Sequence, residues 1–200
     1  MKGIYAILDE SNFNFSSLEK SVEYMIKYNI KIFQIRIKSS FSKKNISIIK
    51  KIKFLCKNHK CLLILNDNVN LANELELDGV HVGSGDADIS SVRSTLGENK
   101  IIGVSCYNDI NLALSSEKLG ASYVSFGSLY KTTTKLNPIN LNISTVKNAS
   151  KILKIPICLI GGINTNNVHD VIKLNCDLIA ISKGLSSKNE IENISKIYYE

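Results

Sequence analysis

Short apolar runs recur along the chain, and each is followed by a longer segment that mixes apolar and polar residues. Most of these runs are rich in β-branched residues, and they are nearly continuous instead of alternating. Continuous apolar runs of this length are typical of strands covered on both faces, as in a parallel sheet with helices around it. The pattern predicts eight strands, at residues 4–8, 32–37, 62–65, 79–82, 101–104, 123–126, 157–160 and 178–181.

The segments between the runs carry apolar residues three and four positions apart. This spacing places them on one face of a helix, which can then cover the sheet. Three such sets are Leu18, Val22, Met25 and Ile26; Ile46, Ile49, Ile52 and Leu55; and Val168, Val171 and Ile172. Alternation of eight strands with helices over short connections predicts the α/β class, as a single-domain (β/α)8 TIM barrel.

An open doubly wound sheet is the alternative for such an alternation. Nucleotide-binding sheets of that kind carry a Gly-x-Gly-x-x-Gly turn after an early strand, and no such turn follows the first run. The near match at residues 83–85 follows the fourth run and lacks the third glycine. The closed barrel is therefore favoured, and a length of 200 residues leaves room for one domain over residues 1–200.

The composition is that of a chain with a sizeable core, since 44% of its residues are hydrophobic and 22% are charged. The longest apolar runs are far shorter than the ~20 residues of a membrane-spanning helix, and the first residues lack the layout of a signal peptide. We therefore predict a cytoplasmic protein with no membrane partner. The five cysteines are scattered and include no Cys-x-x-Cys pair, so they are expected to be buried free thiols.

The net charge of +7 raises the question of a nucleic-acid partner. Only two of the 25 basic residues are arginines, Arg36 and Arg93, and the lysines are dispersed along the chain. A nucleic-acid surface would gather its basic residues on one face or helix. We expect no nucleic-acid partner, and the sequence leaves open whether copies of the chain form a homo-oligomer.

The second apolar run ends in three polar side chains. The carboxyl ends of the strands form the functional face of a (β/α)8 barrel, so such positions are the first candidates for a site. Gln34, Arg36 and Lys38 stand at alternate positions, which places them on one face of the strand. An amide, a guanidinium and an ammonium together suit an anion. We interpret these residues as an anion clamp, because a merely solvated strand end would not use one of only two arginines.

Two carboxylates follow neighbouring strands, Asp67 after the third run and Asp86 after the fourth. Mg²⁺ prefers oxygen ligands, commonly one or two carboxylates completed by phosphate oxygens and water. Each aspartate by itself is more often a turn or helix-cap residue. Together with the anion clamp, the two aspartates predict a Mg²⁺ site.

The other strand ends carry hydroxyls, glycines and lysines. We place Ser105 after the fifth run, a hydroxyl-rich loop at 126–135 after the sixth, and glycine-containing loops at 161–162 and 182–184 after the last two. Glycine lets the backbone approach an anion closely, and the last two loops of a barrel often bind phosphate. These loops therefore predict phosphate recognition.

The three histidines are interpreted as structural or surface residues. His81 lies in an apolar strand and has no serine or cysteine partner that the sequence can show. His59 and His169 are predicted at the surface, and so is Lys131.

Six of these segments resemble, in order, motifs of the thiamine-phosphate synthase family, and the resemblance runs from about Tyr5 to Ser182. They are Gln-Ile-Arg-Ile-Lys at 34–38, Leu-Asn-Asp at 65–67, Asp-Gly-Val-His-Val-Gly at 78–83 with Asp86, Ile-Gly-Val-Ser at 102–105, Thr-Thr-Thr-Lys at 132–135 and Ile-Gly-Gly-Ile at 160–163. Six motifs at compatible spacing are far more specific than any one of them. The chain departs from the family pattern beside these motifs, at Ser84, Cys106, Tyr107 and Lys183.

The resemblance implies two small-molecule substrates and a role for each motif. A pyrimidine diphosphate would be held by Gln34, Arg36, Lys38, Asn66, Ser105 and Lys135. Mg²⁺ would be held by Asp67 and Asp86. The phosphate of a thiazole phosphate would be received by Thr132, Thr134, Gly162, Ile181 and Ser182, with Thr133 in the same substrate-binding loop.

The chemistry that the resemblance implies begins with cleavage of the carbon–oxygen bond to diphosphate. The thiazole nitrogen then captures the pyrimidine-stabilised cation, and the products are thiamine phosphate and pyrophosphate. The chain would thus be a transferase of thiamine biosynthesis. Charge on the leaving group would be stabilised by Mg²⁺ and the site side chains, so the expected catalytic residues are Arg36, Lys38, Ser105 and Lys135.

Three other functions stay open. A thiazole tautomerase of the same fold typically uses a histidine after the fifth strand, where this chain has Ser-Cys-Tyr-Asn at 105–108. A non-catalytic thiamine-phosphate-binding protein would need the phosphate loops without the diphosphate and Mg²⁺ residues. A sugar-phosphate isomerase or aldolase would need a lysine or glutamate at the barrel centre, for which Lys183 is the candidate.

Overall fold

Eight strands form one closed sheet within the residues that the structure, a computed structural model, describes, which are 1–83, 88–131 and 141–200. The strands pair in chain order, and the eighth pairs back with the first. Each of these pairings is parallel. The structure therefore confirms the (β/α)8 barrel that the sequence pattern predicts.

The strands lie where the apolar runs place them. They are β1 (Gly3–Asp9), β2 (Ile32–Arg36), β3 (Leu62–Asn66), β4 (Gly79–Val82), β5 (Ile101–Tyr107), β6 (Tyr123–Phe126), β7 (Ile157–Ile160) and β8 (Leu178–Ile181). Three of them, β1, β3 and β5, continue beyond the apolar run into polar residues. These extensions carry polar side chains to the carboxyl end of the barrel.

The placement of Ser105 after the fifth strand is wrong, because Ser105 lies inside β5 and stands opposite Ser125 of β6. The sequence prediction ends this strand at Val104 since the next residue is polar. Alternate side chains of a barrel strand point to the interior, and a hydroxyl that is hydrogen-bonded there does not end the strand. The register with β6 shifts only afterwards, between Ser105 and Tyr107.

Helices follow the strands along the chain and cover the barrel. In the described residues they are α1 (Leu18–Lys27), α2 (Lys43–Asn58), α3 (Val69–Glu74), α4 (Ile89–Leu96), α5 (Ile110–Lys118), α6 (Ile143–Ile152), α7 (Val168–Ile172) and α8 (Lys188–Tyr199), with single 3-10 turns at Phe15–Ser17 and Lys183–Leu185. Side-chain caps begin many of them; in α4, for example, the Asp88 carboxylate accepts a hydrogen bond from the backbone N–H of Ser91.

The core has two layers. The larger layer lies between strands and helices, and all four residues of the predicted α1 face are buried in it. Burying one such aliphatic side chain stabilises the fold by about 1.5–3 kcal/mol. The smaller layer fills the barrel interior and consists of Tyr5, Ile7, Ile32, Ile64, Tyr123, Cys158, Leu178 and Ala180. Two tyrosines are thus placed inside the barrel itself.

The five cysteines are free thiols, and all except the half-buried Cys176 are buried, as the sequence predicts. Burial raises the pKa of Cys106 to about 12, although a hydrogen bond with Ser116 opposes this shift. Among the described residues, no helix combines the length and the apolar character needed to cross a membrane.

Arg93 of α4 binds the loops that enter the barrel at the amino ends of β5 and β6. Its Nη1 donates to the backbone oxygens of Gly97 at 2.8 Å and Lys100 at 2.6 Å, and its Nη2 donates to that of Gly120 at 2.7 Å. These carbonyls belong to residues that precede β5 and β6. One guanidinium therefore fixes two strand entries.

Two aspartates act in the same way at this end of the barrel. Asp78 precedes β4, and its Oδ2 accepts from the backbone N–H of Leu63 at 2.7 Å. Asp177 precedes β8, and its Oδ2 accepts from the backbone N–H of Ile157 at 2.9 Å. Each carboxylate thereby ties the start of its own strand to the start of the preceding strand.

Candidate active site at the carboxyl ends of the strands

Arg36 and Asp9 form a buried ion pair between the ends of β1 and β2. The two residues stand opposite each other in the strand register, and Arg36 Nη1 donates to Asp9 Oδ2. The Asp9 side chain is 3% exposed, and that of Arg36 is 22% exposed. Burial opposes ionisation of Asp9, but hydrogen bonds from Ser11 and the contact with Arg36 outweigh it and lower the pKa of Asp9. The guanidinium is therefore held in place with part of its surface open.

Lys38 and Asp67 form a second, more open pair beside the first. Lys38 Nζ donates to Asp67 Oδ2, and the two side chains are 53% and 33% exposed. The backbone of Asp67 has a φ of 62°, in the left-handed region that aspartate tolerates better than most residues. Its N–H donates to the backbone oxygen of His81 at 2.9 Å, which fixes the turn after β3. The Asp67 carboxylate thus faces solvent, while its backbone is fixed by this hydrogen bond.

A pocket of about 540 Å³ opens at this pair, lined by residues 37–39, 41 and 66–70. Asn66, the last residue of β3, is buried at its edge with 7% of its surface exposed. Asn68 caps α3, because its Oδ1 accepts from the backbone N–H of Leu71 at 3.0 Å. The pocket therefore combines one carboxylate, one ammonium and amide groups on rigid backbone.

Five polar side chains are connected through the barrel interior. Gln34 Nε2 donates to the Tyr5 hydroxyl at 2.7 Å, and the hydroxyls of Tyr5 and Tyr123 are 2.9 Å apart. His81 Nδ1 lies 2.8 Å from the Tyr123 hydroxyl, and His81 Nε2 lies 2.9 Å from Ser105 Oγ. The chain begins at Gln34, which is buried, and ends at Ser105, which is partly exposed. It links β2, β1, β6, β4 and β5 in that order.

His81 consequently has a serine partner that the sequence does not show, because Ser105 comes from the next strand. Two residues of the network, Tyr5 and Tyr123, are missing from the sequence prediction, as is Asp9. A tyrosine in an apolar run is typical of an ordinary core residue, so the sequence carries little signal for it. An acidic residue at the end of the first run was the available signal for Asp9.

The loop after β7 is built on two glycines. Gly161 and Gly162 have φ values of 113° and 65°, and a Cβ on Gly161 would lie 2.6 Å from the Cα of Ser128. Gly161 O accepts from the backbone N–H of Tyr130 at 3.1 Å. Because N–H and C=O point in opposite directions across a trans peptide, this bond also orients the N–H of Gly162. The side-chain amides of Asn164 and Asn167 both donate to the next carbonyl, Gly162 O.

The loop after β8 packs against the loop after β7. A Cβ on Gly184 would lie 2.5 Å from the backbone oxygen of Ile163, so only glycine fits there without movement. Ser182 Oγ accepts a hydrogen bond from Asn12 Nδ2 at 2.9 Å, which ties the end of β8 to the loop after β1. Ile181 is buried. The predicted phosphate-binding positions Gly162, Ile181 and Ser182 therefore meet at one end of the barrel.

Five predicted site residues lie outside the described part of the chain. They are Asp86, Thr132, Thr133, Thr134 and Lys135. The surface predictions are confirmed, since His59, His169 and Lys131 are exposed. Lys183 is exposed as well, in the 3-10 turn after β8, and is not at the barrel centre that an aldolase lysine would occupy.

Asp67 offers the chemistry of a Mg²⁺ ligand. Mg²⁺ commonly takes one or two carboxylates and completes its shell with phosphate oxygens and water. The Asp67 carboxylate is one-third exposed, and a cation, the Lys38 ammonium, already lies on its Oδ2. Within residues 1–83, 88–131 and 141–200, no three His, Cys, Asp or Glu side chains gather as a complete metal cluster. An open carboxylate of this kind fits a metal that arrives with a phosphorylated ligand.

Comparison with known proteins gives the same family from sequence and structure. The family model described as thiamine monophosphate synthase matches residues 4–185. A thiamine-phosphate synthase of Nitrosomonas eutropha is 36% identical, over 98% of this chain and 92% of the relative. One of Nitrosococcus oceani is 34% identical, over 99% of this chain and 91% of the relative. The solved structure of thiamine phosphate pyrophosphorylase from Pyrococcus furiosus has a TM-score of 0.80 at 28% identity, covering 96% of this chain and 95% of that chain.

The family match spans the barrel from β1 to the turn after β8. The two ion pairs, the interior network and both glycine-containing loops lie inside that span. The chain belongs to the thiamine monophosphate synthase family.

Proposed function

We propose that the chain is a transferase that couples a pyrimidine diphosphate with a thiazole phosphate to give thiamine phosphate and pyrophosphate. The observation that carries this proposal is the pair of cations, Arg36 at the end of β2 and Lys38 two residues beyond it, in a chain of this family. A diphosphate needs cations of this kind, because it gains charge as it leaves. The relatives named above carry the matching name of thiamine-phosphate synthase.

The reaction is written as loss of diphosphate followed by capture. The bond between the pyrimidine's methylene carbon and the diphosphate oxygen breaks, and its electron pair leaves with the diphosphate. The thiazole nitrogen then donates its lone pair to the methylene carbon and forms the new carbon–nitrogen bond. Because no proton moves in either step, a general base is not required.

Arg36 and Lys38 stabilise the leaving diphosphate in this proposal. The contact with Asp9 uses Nη1 of Arg36, and a guanidinium carries further N–H donors on Nη2 and Nε. Charge-assisted hydrogen bonds to such groups are worth about 1.5–3 kcal/mol each. Asp9 keeps the guanidinium in one orientation, so less conformational entropy is lost when the diphosphate binds.

We assign Mg²⁺ to Asp67, together with Asp86 from the undescribed segment. The ion, when bound, supplies Lewis-acid stabilisation of the diphosphate oxygens. Asp67 holds its carboxylate on a turn fixed by the hydrogen bond to the backbone of His81. Lys135 is proposed as a further cation on the diphosphate.

The thiazole phosphate is assigned to the loops after β7 and β8, with Gly162, Ile181 and Ser182 and the threonines at 132–134. The bonds to Gly161 O and Gly162 O fix the peptide planes on both sides of Gly162. Backbone N–H groups held in this way bind phosphate without a cost of reorganisation.

Small molecules are the proposed partners, and the cytoplasm is the proposed location. The basic residues do not form an arginine-rich surface, since Arg93 is used by backbone carbonyls and Arg36 by Asp9. We accordingly expect no retention on immobilised DNA at physiological salt.

The proposal is tested by pyrophosphate release and product analysis with both substrates and Mg²⁺. Thiamine phosphate should form only with Mg²⁺, and Asp67→Ala and Lys135→Ala should each lower the rate by tenfold or more, on the scale of about one charge-assisted contact. A well-folded wild-type chain that forms no product would overturn the proposal. Assays of thiazole isomerisation and of thiamine phosphate binding would then separate the tautomerase from the binding protein.

A further inference from the structure

The polar network inside the barrel begins with one bond of defined direction. Gln34 donates its amide N–H to the Tyr5 hydroxyl, and an amide nitrogen cannot accept in return. The Tyr5 hydrogen is thus available to Tyr123, and the Tyr123 hydrogen to His81 Nδ1. A neutral imidazole that accepts at Nδ1 carries its hydrogen on Nε2, which lies 2.9 Å from Ser105 Oγ. The hydroxyl hydrogens of Tyr5 and Tyr123 and the ring hydrogen of His81 then each have an acceptor.

The Ser105 hydroxyl then remains free to donate its own hydrogen. In this arrangement its oxygen accepts from His81, and the side chain is partly exposed near the carboxyl end of β5. Burial raises the pKa of both phenols, Tyr5 and Tyr123, well above the ordinary value. Both therefore keep the hydrogens that the chain needs at neutral pH.

The network fits inside the barrel because one interior position is a glycine. A Cβ on Gly103 of β5 would lie 2.1 Å from Cζ of Tyr123, so the tyrosine ring occupies the space of a missing side chain. The ring lies 5.6 Å from that of His81, centre to centre, and is stacked on it. Buried polar groups are costly unless each is bonded, so a fully bonded chain fixes one arrangement. The imidazole is thereby held in position as well as in tautomer.

We propose that Gln34, Tyr5, Tyr123 and His81 form a one-way hydrogen-bond chain that makes the Ser105 hydroxyl a donor toward the leaving diphosphate. Tyr5, Tyr123 and His81 are positioning residues, since they act through Ser105. The inference rests on the proposed function for the identity of the acceptor. The direction of the chain is a property of the ligand-free protein and is tested separately.

The direction is measured by the ¹⁵N shifts of the His81 ring at a pH where the imidazole is neutral. His59 and His169 are exposed, and changing both to glutamine leaves one histidine to observe. The expected state is hydrogen on Nε2. Hydrogen on Nδ1 would overturn the proposal, because Ser105 would then give its own hydrogen to His81.

The variant Gln34→Glu reverses the chain by design. A carboxylate only accepts, so Tyr5 must donate to it, Tyr123 to Tyr5, and His81 must carry its hydrogen on Nδ1. The measurement is made with the introduced carboxyl ionised, as followed by its ¹³C signal. A shift of the hydrogen from Nε2 to Nδ1 supports the chain, and an unchanged tautomer contradicts it.

The action through Ser105 is measured by a double-mutant cycle. Tyr123→Phe should lower kcat by about tenfold with little change in KM, because the lost donation matters most as charge develops. In a Ser105→Ala background the same change should cost less than about twofold. Equal losses in both backgrounds would overturn the proposal. Tyr5→Phe serves as the second variant should Tyr123→Phe fold poorly.

Tyr24→Phe is the matched control, since it removes a phenol that donates to Glu192 on the outside of the barrel. It should leave kcat and KM unchanged. A wild-type chain without coupling activity would refute the proposed function, while the ¹⁵N measurement on the same protein would still decide the direction of the chain.

Discussion

The two ends of the barrel use the same charged residue types in opposite ways. Arg93 at the amino end bonds to neutral backbone carbonyls, which are fixed by the strands that follow them. Arg36 at the carboxyl end bonds to a charged side chain, Asp9. A guanidinium bonded to several backbone carbonyls serves to stabilise the folded chain. A guanidinium on a carboxylate, with part of its surface open, remains able to bind an anion.

The carboxylates repeat the contrast. Asp78 and Asp177 accept from backbone N–H groups at the strand starts. Asp9 and Asp67 contact the two cations at the end of the strand that lies between theirs, β2, and Asp67 is one-third exposed. This division agrees with the general behaviour of (β/α)8 barrels, in which the amino-terminal face serves stability and the carboxyl-terminal face serves catalysis. In this chain the division can be tested residue by residue through substitutions.

The largest expected effect is on activity, from Arg36→Ala. Loss of a charge-assisted contact to the leaving group should lower kcat/KM by about a hundredfold. The variant leaves the Asp9 carboxylate buried without its cation, so Asp9→Asn is added in a second variant to remove that charge. Steady-state kinetics on both proteins gives the comparison.

Arg93→Ala is the control for that experiment, and its kcat/KM per folded molecule should stay within about threefold of wild type. A hundredfold loss in Arg93→Ala would show that the two ends are not separable. A negligible loss in Arg36→Ala would remove Arg36 from the diphosphate site.

The next effect is on stability, from the same Arg93→Ala. The half-buried guanidinium donates to the carbonyls of Gly97, Lys100 and Gly120. Its removal should lower the free energy of unfolding by about 2–4 kcal/mol, since several charge-assisted hydrogen bonds are lost and some carbonyls regain water. Urea unfolding measures the change. An unaltered midpoint with an unaltered slope would show that water replaces the guanidinium without loss.

Much of this division is visible in the sequence, and the rest depends on strand register. Continuous apolar runs located all eight strands, and three- and four-residue spacing located the buried face of α1, because both signals are local. The ion pair of Arg36 is not local, since Asp9 comes from the previous strand and is opposite only in the final register. The resemblance to a known family named the cations of the site but not the carboxylate that holds one of them.

The interior network could not be predicted from the sequence, for the same physical reason. His81 and Ser105 are 24 positions apart, and Tyr5 and Tyr123 are 118 positions apart. Closure of the barrel places β1 and β6 on different sides of its interior, where their side chains can meet. Nothing in either strand alone predicts that the two hydroxyls are in contact. The polar residue Ser105 also ended the predicted fifth strand too early, because polarity alone does not show which face a side chain occupies.

A smaller, pH-dependent effect is expected from Asp9→Asn. The pKa of Asp9 is lowered in the folded protein, so its ionised form contributes stability above the unfolded pKa, about 3.9 for aspartate. That contribution is lost as the pH falls through the lower, folded pKa. Wild type should therefore exceed Asp9→Asn in stability near neutral pH, and the gap should close in acid. Urea midpoints for both proteins at several pH values test this, and a constant gap would contradict it.

The smallest effect compares one substitution at both ends, Lys100→Met and Lys38→Met. Lys100 Nζ donates to the backbone oxygen of Leu77 at 2.7 Å and is half-buried, so its loss should cost about 1 kcal/mol of stability with unchanged kcat/KM. Lys38 is 53% exposed and pairs with an open Asp67, so its loss should cost under about 0.5 kcal/mol while kcat/KM falls. Since the two changes remove the same charge and add the same thioether, any difference comes from the partner. If both lysines moved stability and activity alike, the partner would not decide the role, and the contrast between the barrel ends would rest on the arginines alone.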